Sequence, residues 1–169
     1  MAIIKTLRGF EPKFGNNCFL ADNAVVVGEV TMGDNCTVWF NAVVRGDVHS
    51  IIIGDNTNIQ DGAIIHCTYQ KAKTVIGSNV SIAHNAIVHG CTIHDNVLIG
   101  MGAIVMDDAV VGSNSVIAAG AIVLPGTKIE SGSIYGGIPA KRLKDIGPDM
   151  IEVIARTARN YPMYSEWYK

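Results

Sequence analysis

Aliphatic residues recur along this chain in steps of six, a period that matches neither the turn of an α-helix nor the alternation of an ordinary strand. The phrase is legible in IGDNTN (53–58), IQDGAI (59–64), IGSNVS (76–81), IAHNAI (82–87), IGMGAI (99–104), VGSNSV (111–116) and IAAGAI (117–122). Let position i open each phrase, at residues 21, 27, 32, 38 and 44 and onward from 53 to 135. Val or Ile then occupies i in 16 of 19 phrases, and Gly, Asn or Asp occupies i+3 in 14 of 19. Those three residues tolerate the left-handed backbone of a tight corner. Position i+4 is small in nearly every phrase, as a crowded vertex requires.

Each hexad therefore predicts a short strand with its i side chain inside, followed by a corner. Three hexads close one triangular rung, and rungs stack as parallel strands about 4.8 Å apart. The expected fold is all-β, a parallel coil over residues 21–140, with one C-terminal helical segment over 141–169, the whole chain of 1–169 forming a single domain. Steps of five are read at 27 to 32 and 88 to 93. Insertions are read at 44 to 53 and at 65 to 76, where CTYQKAKT must bulge outward. Past Ala140 the composition turns charged, with Pro148 suited to a first helical turn. Met150, Ile151, Ile154 and Ala158 follow at helical spacing, and Pro162 is expected to end or kink the helix.

Composition sharpens this picture. The chain is 49% apolar but only 7% aromatic and 17% charged, so small aliphatics fill a narrow, regular interior. A formal net charge of −2 without a basic stripe argues against a nucleic-acid partner. No apolar run approaches the ~20 residues of a membrane span, and the start MAIIKTLRGFEPKF has too short an apolar stretch for a signal peptide. A soluble cytoplasmic protein is expected, with Cys18, Cys36, Cys67 and Cys91 as reduced thiols.

The histidines change the picture most. His66 and His89 both occupy i+1 of the third hexad in adjacent rungs, so they should stand one above the other and point outward, with Arg45 in the same place one rung below and Asp47 just beyond it. His84 lies at i+2 of the second hexad, above Asp61 and beside Gln60, on a different edge of the prism. A ligand on that edge joins the His66–His89 pair most easily from a neighbouring subunit. Three neutral imidazoles with an open fourth position make a catalytic zinc pattern, in which a bound water reaches a pKa of about 7. His49 and His94 read as solvated surface residues.

The runs VVRGDVH (43–49), NIQDGAIIH (58–66) and SIAHNAIVHGCTI (81–93) resemble the γ-class carbonic anhydrases and their hexapeptide-repeat relatives, which include ferripyochelin-binding-protein-like members. The resemblance implies a left-handed parallel β-helix, a homotrimer with metal sites at the subunit interfaces, and reversible hydration of CO2 to bicarbonate by metal-bound hydroxide. It implies Zn2+, with Fe2+ or Co2+ as alternatives. By the same resemblance His66 and His89 are metal ligands from one subunit and His84 the ligand from the next. Arg45 matches an arginine that bonds Asp61 across the interface, Gln60 a glutamine near the hydroxide, Asp47 a carboxylate of the same network, and Tyr161, in RNYP, a tyrosine near the site.

The family pattern also carries one proton-exporting glutamate just after RGD and another in an acidic loop. Here those places hold Val48 and the loop CTYQKAKT, so His49, Tyr69 or buffer would have to carry the proton and hydration would be weak. Three other readings use the same features: a hexapeptide acyltransferase acting with acetyl-CoA, a thioesterase that turns the hydroxide on an acyl-CoA, and a metal-stabilised, non-catalytic scaffold subunit.

Overall fold

The computed structural model describes residues 1–168. Short strands wind into a three-faced parallel coil. One face stacks Val25–Met32, Val43–Ile53, Ile64–His66, Ile87–His89, Ile104–Val105 and Ile122–Val123. The second stacks Lys13–Phe14, the far halves of the two long strands, then Thr74–Ile76, Thr92–Ile93, Val110–Val111 and Lys128–Ile129. The third runs from Phe19–Leu20 through Thr37–Val38, Asn58–Ile59, Ser81–Ile82, Val97–Ile99 and Ser115–Ile117 to Ser133–Gly136.

Interior packing follows the hexad. Ile53, Ile59, Ile65, Ile76, Ile82 and Ile99 are each 2% exposed or less and belong to one continuous core. The first hexads are read differently by the structure: Val26 is the buried residue, paired with Val44, while Val27 pairs with Arg45 and points outward. From Val26 to Met32 the step is six, so the five-residue step expected at 27 to 32 does not occur. Parallel pairing also starts before residue 21, with Ile3–Lys5 against Val25–Met32. The short step at 88 to 93 holds, since Val88 pairs with Ile65 and Ile93 with Ile76.

Corners after the second face are turned by Asn35, Asn56, Asn79, Asn96 and Asn114, all with φ between 53° and 57°. Their side chains form part of a ladder, Asn56 donating to Asn79 and Asn79 to Asn96 at 3.3 and 3.1 Å. Asparagine suits this role because it accepts left-handed φ and supplies both a donor and an acceptor. Between the first and second faces the long strands run through the bend instead. Gly28 makes that possible: at φ +76° an added Cβ would lie 2.4 Å from the Gly46 carbonyl oxygen.

The C-terminal segment is not helical from residue 141. Lys141–Asp145 is a strand that turns back antiparallel on Ser133–Gly136 and closes the end of the coil. The helix Pro148–Ser165 then packs on the third face, burying Ile154, Ala158 and Ser165; Ile151 faces solvent. It runs through Pro162 rather than ending there. Its end and the short 3-10 turn Glu166–Tyr168 that follows are anchored by aromatic contacts, Trp39 meeting Tyr161 and Tyr168 at centroid distances of 5.4 and 5.6 Å. Lys169 lies outside the described residues. No helix among the described residues is long and apolar enough to cross a membrane.

Candidate metal centre

The strands Ile64–His66 and Ile87–His89 pair in register, and their last residues are direct partners. Because the residue before each histidine is buried, both imidazoles project from the outer surface. His66 Nδ1 and His89 Nε2 stand 3.1 Å apart. The remaining nitrogen of each ring meets a carboxylate: His66 Nε2 lies 2.9 Å from Asp47 Oδ1, and His89 Nδ1 lies 2.5 Å from Asp107 Oδ1. Asp47 also accepts from the Arg45 guanidinium, and Asp107 from the Thr68 hydroxyl at 2.5 Å.

Asp107 is absent from the sequence-derived set, although it completes the group. It sits at i+2 of the third hexad one rung above His89, and it reaches down because Gly90 leaves the space. A Cβ on Gly90 would lie 2.4 Å from Asp107 Oδ1. That stacking of an aspartate over a glycine was the available signal. Thr68 belongs to the outward loop 67–74, so the bulge is tied to the site through its hydroxyl rather than through an acidic side chain.

His84 and Asp61 form the second group. His84 Nδ1 lies 3.0 Å from Asp61 Oδ2, on an edge where both side chains are about two-fifths exposed. Tyr161 lines the same depression with Trp39, Phe40 and Asp61. Burial pushes its hydroxyl up to about 12, and the nearby Asp61 charge adds to the effect. Gln60 is nearly buried and donates to Asn58 Oδ1 at 3.0 Å, while Asn58 donates to Ser81. Arg45 pairs within the chain with Asp47. The sequence-derived residues thus divide into Arg45, Asp47, His66 and His89 on one face, and Gln60, Asp61, His84 and Tyr161 around one edge. Among the described residues no three His, Cys, Asp or Glu side chains converge well enough to hold a metal ion.

The donor set nevertheless fits one half of a metal site. Each outer ring nitrogen faces a carboxylate, so the natural tautomers place protons there and leave the two inner lone pairs face to face. Such a juxtaposition is repulsive until a cation enters it. The 3.1 Å separation is close to the edge of about 3.3 Å expected between two nitrogens bound at 2.0–2.1 Å to a tetrahedral ion. Burial holds the His66 imidazole below its ordinary pKa, against the hydrogen bond it donates to Asp47, so it stays neutral at pH 7 as a ligand must. Burial opposes ionisation of Asp47 and Asp107, but their hydrogen bonds outweigh it. His66 and Arg45 keep Asp47 below the usual range; Thr68 and His89 do the same for Asp107.

Comparison with known proteins agrees with the coil. The family described as bacterial transferase hexapeptide (six repeats) matches residues 11–46, 72–106 and 90–125. A protein named gamma carbonic anhydrase 2, mitochondrial, of Arabidopsis thaliana is 38% identical over 89% of this chain, which spans only 56% of that relative's length. Protein YrdA of Escherichia coli is 34% identical over 98% of this chain and 94% of its own. A crystal structure of a hexapeptide transferase family protein from Anaplasma phagocytophilum superposes with a TM-score of 0.94 at 38% identity, covering 99% of this chain and 98% of that one. With a six-residue period that closes a left-handed β-helix and relatives named γ-carbonic anhydrase, this chain belongs to the hexapeptide-repeat family.

Proposed function

We propose that the protein is a zinc-dependent, γ-class carbonic anhydrase-like enzyme that hydrates CO2 reversibly. The observation that carries this reading is the facing imidazole pair, 3.1 Å apart, with each ring held by a carboxylate on its far nitrogen. His84 meets Asp61 through Nδ1 at 3.0 Å, on a different edge of the coil from that pair. His66 and His89 of one protomer with His84 of the next would hold the ion in a cyclic homotrimer.

A partly exposed apolar column supports that assembly. Val25, Val43, Ile64, Ile87, Ile104 and Ile122 are successive ladder partners on the outer side of the face that bears His66 and His89. Ile64 is 40% exposed in the single chain. A continuous β-branched stripe of this kind marks an interaction surface, and its position would bring a neighbour's edge up to the histidine pair.

When bound, zinc supplies the Lewis acidity that makes hydroxide available near neutral pH for attack on CO2. The chain's own residues do the rest. Asp47 and Asp107 fix the tautomers and ring orientations of His66 and His89. Arg45 neutralises Asp47 and offers further guanidinium donors to an incoming anion, while Gln60 and Tyr161 shape the edge contributed with His84 and Asp61. Neither Val48 nor the loop 67–74 carries a carboxylate, so proton export falls to His49, Tyr69 or external buffer and turnover is slow in weak buffer.

The test is metal analysis of the purified protein, followed by stopped-flow CO2 hydration as imidazole-type buffer is raised at fixed pH and ionic strength. We expect one zinc per chain and a rate that climbs with buffer and vanishes in His89→Ala. Bound zinc with a rate equal to that of His89→Ala would overturn the hydratase reading and favour a scaffold or an acyl-CoA substrate. Protein without metal but with acetyl-CoA-dependent transfer would favour an acyltransferase.

A further inference from the structure

Cys18 and Cys36 occupy the same corner of the first two rungs, 18 residues apart. The residues that follow them, Phe19 and Thr37, are ladder partners, and the Phe19 amide donates to the Cys36 carbonyl at 2.9 Å. Both thiols lie in the same orientation. Cys18 Sγ faces the Gly33 carbonyl at 3.2 Å, and Cys36 Sγ faces the Gly54 carbonyl one rung on at 3.1 Å. In the next rung Thr57 fills the place, its hydroxyl donating to the Gly77 carbonyl at 2.9 Å. Hydrogen bonding at this corner therefore does not require sulfur, and the pair of sulfurs needs another account.

Exposure differs between the two. Cys36 is fully buried, whereas Cys18 is partly open to solvent at the end of the coil. The Cys36 thiol, together with the backbone amides of Cys36 and Gly15, draws Cys18 down to about 7 against the opposing effect of burial. The same contact and burial push Cys36 up. A partly accessible sulfur that ionises near neutrality thus lies one rung from a shielded one that stays protonated. Neighbouring parallel backbones about 4.8 Å apart fall inside the Cα range that a disulfide spans.

We propose that Cys18 and Cys36 form a peroxide-responsive pair that closes into a disulfide between the first and second rungs. The Cys18 thiolate attacks one oxygen of hydrogen peroxide. The O–O bond breaks, the departing hydroxide takes a proton to become water, and Cys18 is left as the sulfenic acid. The Cys36 sulfur then attacks the Cys18 sulfur; the S–O bond breaks, and the oxygen leaves with the Cys36 proton as a second water. Two thiols and one peroxide yield one disulfide and two waters. The bond would staple the terminal rung, which has a neighbour on one side only, to the rung that bears Trp39 and the aromatic anchor of the helix.

Cys67 and Cys91 serve as internal controls, since both are buried and burial pushes both thiols up, Cys91 to about 12. Wild-type protein is treated with hydrogen peroxide near equimolar dose, blocked with N-ethylmaleimide under denaturing conditions, and digested with trypsin plus a glutamyl endopeptidase. These enzymes separate residues 14–29 from residues 30–45. We expect the two fragments joined, two hydrogens lighter than the free pair, with Cys67 and Cys91 blocked as thiols. Cys36→Ser should trap the Cys18 sulfenic acid with dimedone, and the oxidised wild type should melt about 5 °C or more above the reduced form, a rise absent in Cys36→Ser. Fragments that stay separate, a bond from Cys18 to another partner, or oxidation of Cys67 or Cys91 as fast as Cys18 would overturn the proposal.

Discussion

The regular upper coil and the interrupted middle rungs share one interior and differ outside it. From Ile93 to Ile129 every step is six and the inward residues are buried. Between Val44 and Ile76 two insertions break the period, yet Val44, Ile53, Ile65 and Ile76 are as deeply buried as their regular counterparts. The extra residues are absorbed wholly outside, where they supply Asp47 and Thr68. Interior packing at near-crystalline density enforces the hexad, while the surface is free to depart from it. The departures add Asp47 and Thr68 to a site whose histidines and Asp107 keep the regular register.

Substituting the shared interior should erase the distinction. Ile82 is fully buried among aliphatic neighbours, so Ile82→Asp brings an unpaired charge into an apolar stack and should cost roughly 4 kcal/mol or more, unfolding both regions in one thermal or urea transition. A smaller effect should separate the upper coil from the bend that packs on the first insertion, through one glycine in each. Both Gly28 and Gly102 have positive φ, but an added Cβ at Gly28 meets the Gly46 carbonyl at 2.4 Å, whereas at Gly102 nothing lies within 4 Å. Gly102→Ala should cost about 1 kcal/mol, the strain of left-handed backbone alone. Gly28→Ala should cost roughly twice that or more, because two long strands must part. Paired urea titrations measure the difference.

Asp107→Asn should weaken zinc about 10- to 100-fold, as expected when a carboxylate behind a ligating imidazole is lost, and should cost the metal-free protein only the modest stability that its ionised carboxylate contributes. Competition with a chromophoric chelator reads this directly, and an unchanged zinc affinity would detach Asp107 from the site. The smallest effect is that of acid. Asp47 and Asp107 are held below the usual carboxylate range when folded, so each contributes stability above the unfolded pKa near 4 and loses it as pH falls through the lower, folded value. His66, depressed when folded, resists protonation only in the folded state, so its contribution is lost on the acid side of about pH 6.5. Metal-free protein should therefore weaken stepwise below pH 6.5 and again below pH 4, and Asp107→Asn should soften the second step.

Much of the fold can be read from the residues themselves, because a coil repeats one local solution. An aliphatic residue inside, a left-handed corner and a small vertex side chain recur often enough that Ile53, Ile59 and Ile65 could be placed without coordinates. The register that stacks His66 on His89 follows from the same counting. The sequence was ambiguous where its chemistry was uniform: Val25, Val26 and Val27 are equally apolar, and only the pairing of Val26 with Val44 decides which of them faces inward. Helix propensity likewise could not show that Lys141–Asp145 would extend the third face as an antiparallel strand, since that choice rests on the open edge offered by Ser133–Gly136.

The candidate site divides along the same line. Sequence alone determined which rungs and faces carry Arg45, His66, His84 and His89, because strand period and hexad count convert position directly into direction. Tertiary structure alone decided what each ring nitrogen meets. Asp107 reaches His89 across a rung through the gap left by Gly90, Thr68 swings in from an irregular loop, and Arg45 turns to Asp47 within its own chain. A period fixes where a side chain starts and which way it leaves the backbone; the space left by its neighbours and the charges waiting there fix where it ends.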